Sequence, residues 1–176
     1  MHKARLPHQA FLDEEVQKLA SSPCGMSESD PAYFGYWSKE EVLKFLKDLL
    51  ETERVGLRAF AAVGRVVDLR VADLAFESEL AQGAICVLLK KEMARRGEAR
   101  TARLKTADNV PMPKRGLQDT VTFARDNQIR LADMIEEAVL NIFDSKLNAK
   151  LMYLQLLHRK QVELLGTLRP NGPAAS

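Results

Sequence analysis

Four stretches of the chain repeat apolar residues at alternating spacings of three and four, the period that gathers side chains on one helix face. The first runs Leu46, Leu50, Leu57, Phe60, and the second Ala75, Ile85, Leu89 with Leu88 alongside. The third runs Leu117, Val121, Ala124, Leu131, Ile135, Ala138, Ile142, and the fourth Leu147, Leu151, Leu154, Val162, Leu165. The pattern predicts helices over about 39–66, 69–97, 117–143 and 145–166.

Local signals set the ends. Ser38 followed by Glu41 forms a capping box, and Trp37 with Val42 has the spacing of a hydrophobic staple. Asp68 and Asp144 are suited to cap the second and fourth helices, and Gly97 suits the left-handed stop after the second. Pro111 and Pro113 argue against a helix between Glu98 and Gly116. The connections are therefore short, long, short. The long one, about 18 residues, can reach roughly 60 Å, more than the roughly 40 Å length of such a helix. The expected fold is all-α, a four-helix bundle with one long crossover between the second and third helices.

Ahead of the bundle, Phe11, Val16 and Leu19 predict a short amphipathic helix over residues 7–20. An irregular segment follows, broken by Pro23, Gly25, Pro31 and Gly35, whose Tyr33, Phe34, Tyr36 and Trp37 are expected to dock on the bundle. The expected division is an N-terminal region over 1–37, the bundle over 38–167 and a disordered tail over 168–176.

Each stripe is interrupted near its middle by a large polar residue: Glu53, Gln82 (with Ser78), Gln128 and His158. A midpoint lies at the same depth whichever way its helix runs, so the four are expected to meet in one layer of the interior. Burying them costs several kcal/mol unless they are hydrogen-bonded or bind something. One reading is a self-satisfied network that fixes helix register. The other is a metal position with Glu53 and His158 as ligands for iron, manganese or zinc. A di-iron set needs a Glu from two helices and Glu-x-x-His from the other two. Here Gln155 stands three before His158, and Gln82 stands three after Glu79. No catalytic residue is assigned, and the expectation leans away from an enzyme.

Composition narrows the classes. Apolar residues make up 46% and charged residues 28%, with a net charge of +2, which gives no global attraction for nucleic acid. Apolar runs fall well short of the roughly 20 residues that span a bilayer. No apolar signal core follows Met1, and two cysteines, Cys24 and Cys86, suit a reducing, cytoplasmic setting. Between Lys90 and Arg115, nine basic residues face three acids, Glu92, Glu98 and Asp108. Without interleaved aromatics this reads as a solvated helix end complementing the helix dipole. No P-loop, dinucleotide fingerprint, nucleophile elbow or zinc motif is present.

Some of these residues carry a likeness. Pro31-Ala32-Tyr33-Phe34-Gly35-Tyr36, Ser38 to Glu41, and Leu49-Leu50-Glu51-Thr52-Glu53-Arg54 with Gly56 and Arg58 resemble a bacterial ferritin-like domain family of unknown function. Ser22-Pro23-Cys24, Cys86, Gln128 and His158-Arg159 resemble it as well, so that the likeness covers about residues 22–166. It implies a ferritin-like bundle with Glu53 and His158 at a metal position. That family has an acidic residue where Gln82 stands here, a departure that weakens the implied metal set. The family supplies no activity. The expected function is a non-catalytic binding or self-associating module, with a homo-oligomer or another protein as partner. The alternative is a degenerate metal-binding protein.

Overall fold

The computed structural model describes residues 32, 35–67, 69–98, 112 and 116–168, leaving aside the side chains of 66 and 69–71. The expected helix over 7–20, Cys24, the Asp68 cap and the tail beyond 168 lie outside the described residues. Four helices follow one another: α1 (Lys39–Val66), α2 (Leu69–Arg95), α3 (Leu117–Asn141) and α4 (Ser145–Thr167).

Their ends form as the local chemistry demands. Ser38 Oγ accepts from the Glu41 amide at 3.2 Å while Glu41 Oε2 accepts from the Ser38 amide at 2.8 Å, closing the capping box. Trp37 packs on the same apolar cluster as Val42. At the end of α2, Gly97 takes φ 88°. Its amide donates to Ala94 and that of Glu98 to Met93, the Schellman arrangement that only a residue tolerant of the left-handed region closes cheaply. The helix therefore stops at Arg95. α3 also ends early, at Asn141 rather than 143. Asp144 must be extended to cap α4, where it accepts from the Lys146 and Leu147 amides, and this forces the chain out of helix before it. Asn148 Nδ2 holds that turn by donating to the Ile142 carbonyl at 2.7 Å.

Three contacts fix the directions. The Trp37 amide, before α1, donates to Asn141 at the end of α3. Lys47, early in α1, pairs with Glu98 beyond α2, and Arg96 beyond α2 pairs with Asp144 ahead of α4. So α1 and α4 run one way, and α2 and α3 run the other. Because α2 and α3 are parallel, the chain joining them must travel the length of the bundle. α1 packs against α2 and α3, and α4 packs closely on α3 and more thinly on α2.

The core divides in two. One apolar cluster gathers Leu46, Leu49, Leu50, Leu89, Leu131, Ile135, Leu151 and Leu154 among others. A second gathers Ala59, Phe60, Val63, Ala75, Val121, Ala124 and Leu165. Between them, on every helix, lie the polar positions. No described helix is long and apolar enough to cross a membrane.

Candidate functional site

Glu53, Gln82, Gln128 and His158, one from each helix, are fully buried in the level that separates the two clusters. Two further side chains that the periodicity did not single out join them, Gln161 and Asn127. Gln82 uses both amide protons, donating at 3.1 Å to Gln128 Oε1 and at 3.1 Å to Gln161 Oε1. His158 Nδ1 lies 2.8 Å from the same Gln128 oxygen. A carbonyl oxygen only accepts, so Nδ1 carries a proton and donates. Asn127 Nδ2 donates across to the Thr52 carbonyl of α1 at 3.4 Å.

The remaining imidazole nitrogen faces the carboxyl. His158 Nε2 and Glu53 Oε1 stand 2.9 Å apart, both with no solvent exposure, and neither atom has a hydrogen-bond partner among the described residues. Burial pushes the Glu53 carboxyl above its ordinary range, and the nearby His158 only partly opposes this. Two lone pairs cannot share so short a gap in a dry interior, so a proton or another cation must lie between them. Within the described residues, Glu53 Oε1 and Oε2, His158 Nε2, Gln82 Oε1 and Gln128 Nε2 have no hydrogen-bond partner. Each such atom costs about 1–3 kcal/mol if left so. The network is thus half-satisfied: the amide chain is paired, and the edge facing α1 is not.

The edge closes on a glycine. A Cβ on Gly56 would stand 2.8 Å from Asn127 Nδ2, 2.8 Å from Gln82 Oε1 and 3.0 Å from Gln128 Nε2. The missing side chain lets three amides press against the α1 backbone one turn beyond Glu53. The sequence shows Gly56 but not its purpose, which exists only once α2 and α3 are in place.

The layer's chemistry is mostly neutral. Among the described residues no three His, Cys, Asp or Glu side chains converge as metal ligands do. Cys86, expected to be a small buried hydrophobe, is one, and burial first, then the nearby Glu53 charge, pushes its thiol up to about 11. The stretch from Lys90 requires a correction. Glu92 is not a solvated acid but a buried one, and it holds Arg95 and Arg96 on its own helix and Lys150 on α4. A carboxylate in that position is stable only because three cations surround it. The signal was the i, i+3 and i, i+4 spacing of Glu92 to the two arginines.

A solved structure from Bacillus anthracis str. Ames, described as a ferritin-like, diiron-carboxylate protein, is similar to this chain. The TM-score is 0.65 at 14% sequence identity, covering 75% of this chain and 97% of that one. The likeness is one of fold: this chain has the ferritin-like four-helix architecture. No protein-family profile and no curated protein matches it.

Proposed function

We propose that this protein is a non-catalytic ferritin-like bundle that acts by associating with protein, first of all with a second copy of itself. The observation that carries the reading is the neutral centre. Where a di-iron bundle gathers carboxylates and imidazoles, this one has Gln82, Gln128, Gln161 and Asn127 around one Glu53 and one His158. A di-iron centre of the kind named for the similar structure does not fit these residues. Gln155, three before His158, is turned to Glu136 at 3.3 Å. An amide oxygen is a weak donor to iron and takes up no proton. The likeness of residues 22–166 to a ferritin-like family of unknown function belongs to the same proposal. Association draws support from apolar side chains left on the outside of α2 and α4. Two measurements test the two halves. Ferrous iron should be oxidised no faster than in buffer, and light scattering after size exclusion should give a multiple of the chain mass. Iron oxidation that disappears in Glu53→Gln refutes the first half, and a strict monomer at every concentration refutes the second.

A second reading has its own observation, the unpaired Glu53 and His158 atoms 2.9 Å apart. Two ligand atoms bound to one cation stand at about this separation, since a bond length near 2.1 Å at a right angle gives roughly 3 Å. A single iron, manganese or zinc held there is a binding site without redox partners. Elemental analysis of untagged protein incubated with each metal tests it. Equal, negligible metal in wild type, Glu53→Gln and His158→Ala removes it.

A further inference from the structure

The inner side of α4 is spent on the core through Leu147, Leu151, Leu154, His158 and Leu165. Its outer side carries a second seam. Lys146, Ala149, Tyr153, Leu156, Lys160 and Glu163 follow one another at spacings of three, four, three, four and three, and all six are exposed. Positions so spaced share one face of the helix, here with the apolar Ala149, Tyr153 and Leu156 between charged ends. At its centre Tyr153 is 62% and Leu156 66% exposed, with Met152 beside them at 53%.

We propose that this face is where two copies of the chain meet, α4 against α4, antiparallel about a two-fold axis. The proposal rests on the self-association reading and names its surface. The charges choose the direction. With the axis between residues 154 and 155, Lys146 of each copy lies opposite Glu163 of the other, and Tyr153 lies opposite Leu156. Ala149 then faces Lys160, where a small residue leaves room for the lysine stem. A parallel pair would set Lys146, Lys160 and Glu163 each against its own like. The antiparallel pair is isologous and closes at two copies. Met152, Tyr153 and Leu156 present roughly 350 Å² of apolar surface, which the stems of Lys146 and Lys160 extend toward the roughly 800 Å² per partner of a stable dimer. A patch of that size matches the largest on a typical monomer, which is often functional.

Sedimentation equilibrium over a concentration series tests the interface on the full chain. Wild type, Tyr153→Glu/Leu156→Glu, Lys146→Glu, Glu163→Lys and the double reversal Lys146→Glu/Glu163→Lys are compared, with circular dichroism as the check that each is folded. Wild type is expected to be a dimer and Tyr153→Glu/Leu156→Glu a folded monomer. Each single reversal should raise the dissociation constant about tenfold, since two exposed ion pairs are lost and replaced by like charges. The double reversal should bring it back. A dimer indifferent to Tyr153 and Leu156 keeps self-association but overturns this face as its seat. A double reversal as weak as the single ones overturns the antiparallel pairing. A wild type that stays monomeric overturns both the interface and the reading beneath it.

Discussion

Replacing Gly56 by alanine separates helix propensity from the demands of the buried layer. In the interior of α1, alanine is favoured over glycine by about 1 kcal/mol. On that ground alone Gly56→Ala should stabilise. The added Cβ, however, would stand 2.8 Å from two buried amide atoms and 3.0 Å from a third. None of the three can simply swing aside. Gln82 is tied to Gln128 and Gln161, Gln128 also receives the His158 proton, and Asn127 is bonded to Thr52. Making room forces an off-rotamer shift or backbone displacement, which costs about 1–3 kcal/mol in a packed core. Turning an amide away adds about 1 kcal/mol for each bond lost. After the propensity gain, the net is a loss of about 1–3 kcal/mol. For a chain of this size, that lowers the melting temperature by about 3–10 °C.

Gly83→Ala is the internal control. It lies in the interior of α2, and its Cβ would meet Leu57 Cδ1 at 3.7 Å, an ordinary contact. It should raise stability by about 0.5–1 kcal/mol. Thermal and urea unfolding followed at the helical circular dichroism band measures both. If Gly56→Ala is as stable as Gly83→Ala, the amides are not pressed against α1 and the described layer is wrong.

Two carboxyls give opposite pH behaviour. The Glu53 carboxyl is raised by burial, so its contribution to stability is full below the ordinary value of 4.5 and is lost as pH rises through the elevated folded value. Urea unfolding of wild type against Glu53→Gln should therefore show a difference that moves against wild type as pH rises; a pH-independent difference contradicts it. For Glu92, burial alone would raise the carboxyl, but Lys150 and Arg96 outweigh it and hold it lower. Its contribution is present above the ordinary value and fades as pH falls through the lowered one, so Glu92→Gln should cost about 1–3 kcal/mol near neutrality and progressively less in acid. Cys86, buried and with its thiol pushed up to about 11, should react with a disulfide reagent no faster than the protein opens. In Cys24→Ser, a rapid reaction of folded protein would contradict that placement.

The residues that the periodicity placed in the centre are there because one physical fact governs both, the cost of an unpaired polar group on an apolar stripe. Glu53, Gln82, Gln128 and His158 each break such a stripe, and each lies between the two clusters. Gln161 was hidden by the geometry of the period itself. From His158, steps of three and of four both return to the inner face, and the apolar Val162 was the natural choice. The structure buries Gln161 and leaves Val162 half-buried, because only the former reaches Gln82. Asn127 is adjacent in sequence to Gln128 and falls toward α1, a direction that no single-helix pattern reports. Glu92 and Gly56 depend on what other helices bring, Lys150 in one case and three amides in the other.

The layer and the outer seam of α4 are linked through register. A stack of leucines tolerates a helix sliding by one turn, about 5.4 Å, because one apolar contact replaces another. The amide layer does not. Gln82 commits both protons to fixed acceptors on α3 and α4, and shifting α4 by a turn would carry His158 into an apolar cluster and break both its bond to Gln128 and that of Gln82 to Gln161. Each stranded group costs about 1–3 kcal/mol, so the network selects one axial position for α4 relative to α3. That position also sets how the exposed α4 face through Tyr153 and Leu156 stands relative to α3. A neutral network at the centre of the bundle thus has a consequence at its surface, since it fixes the face that a second copy would meet. Loss of the network should loosen that face before the helices themselves unfold.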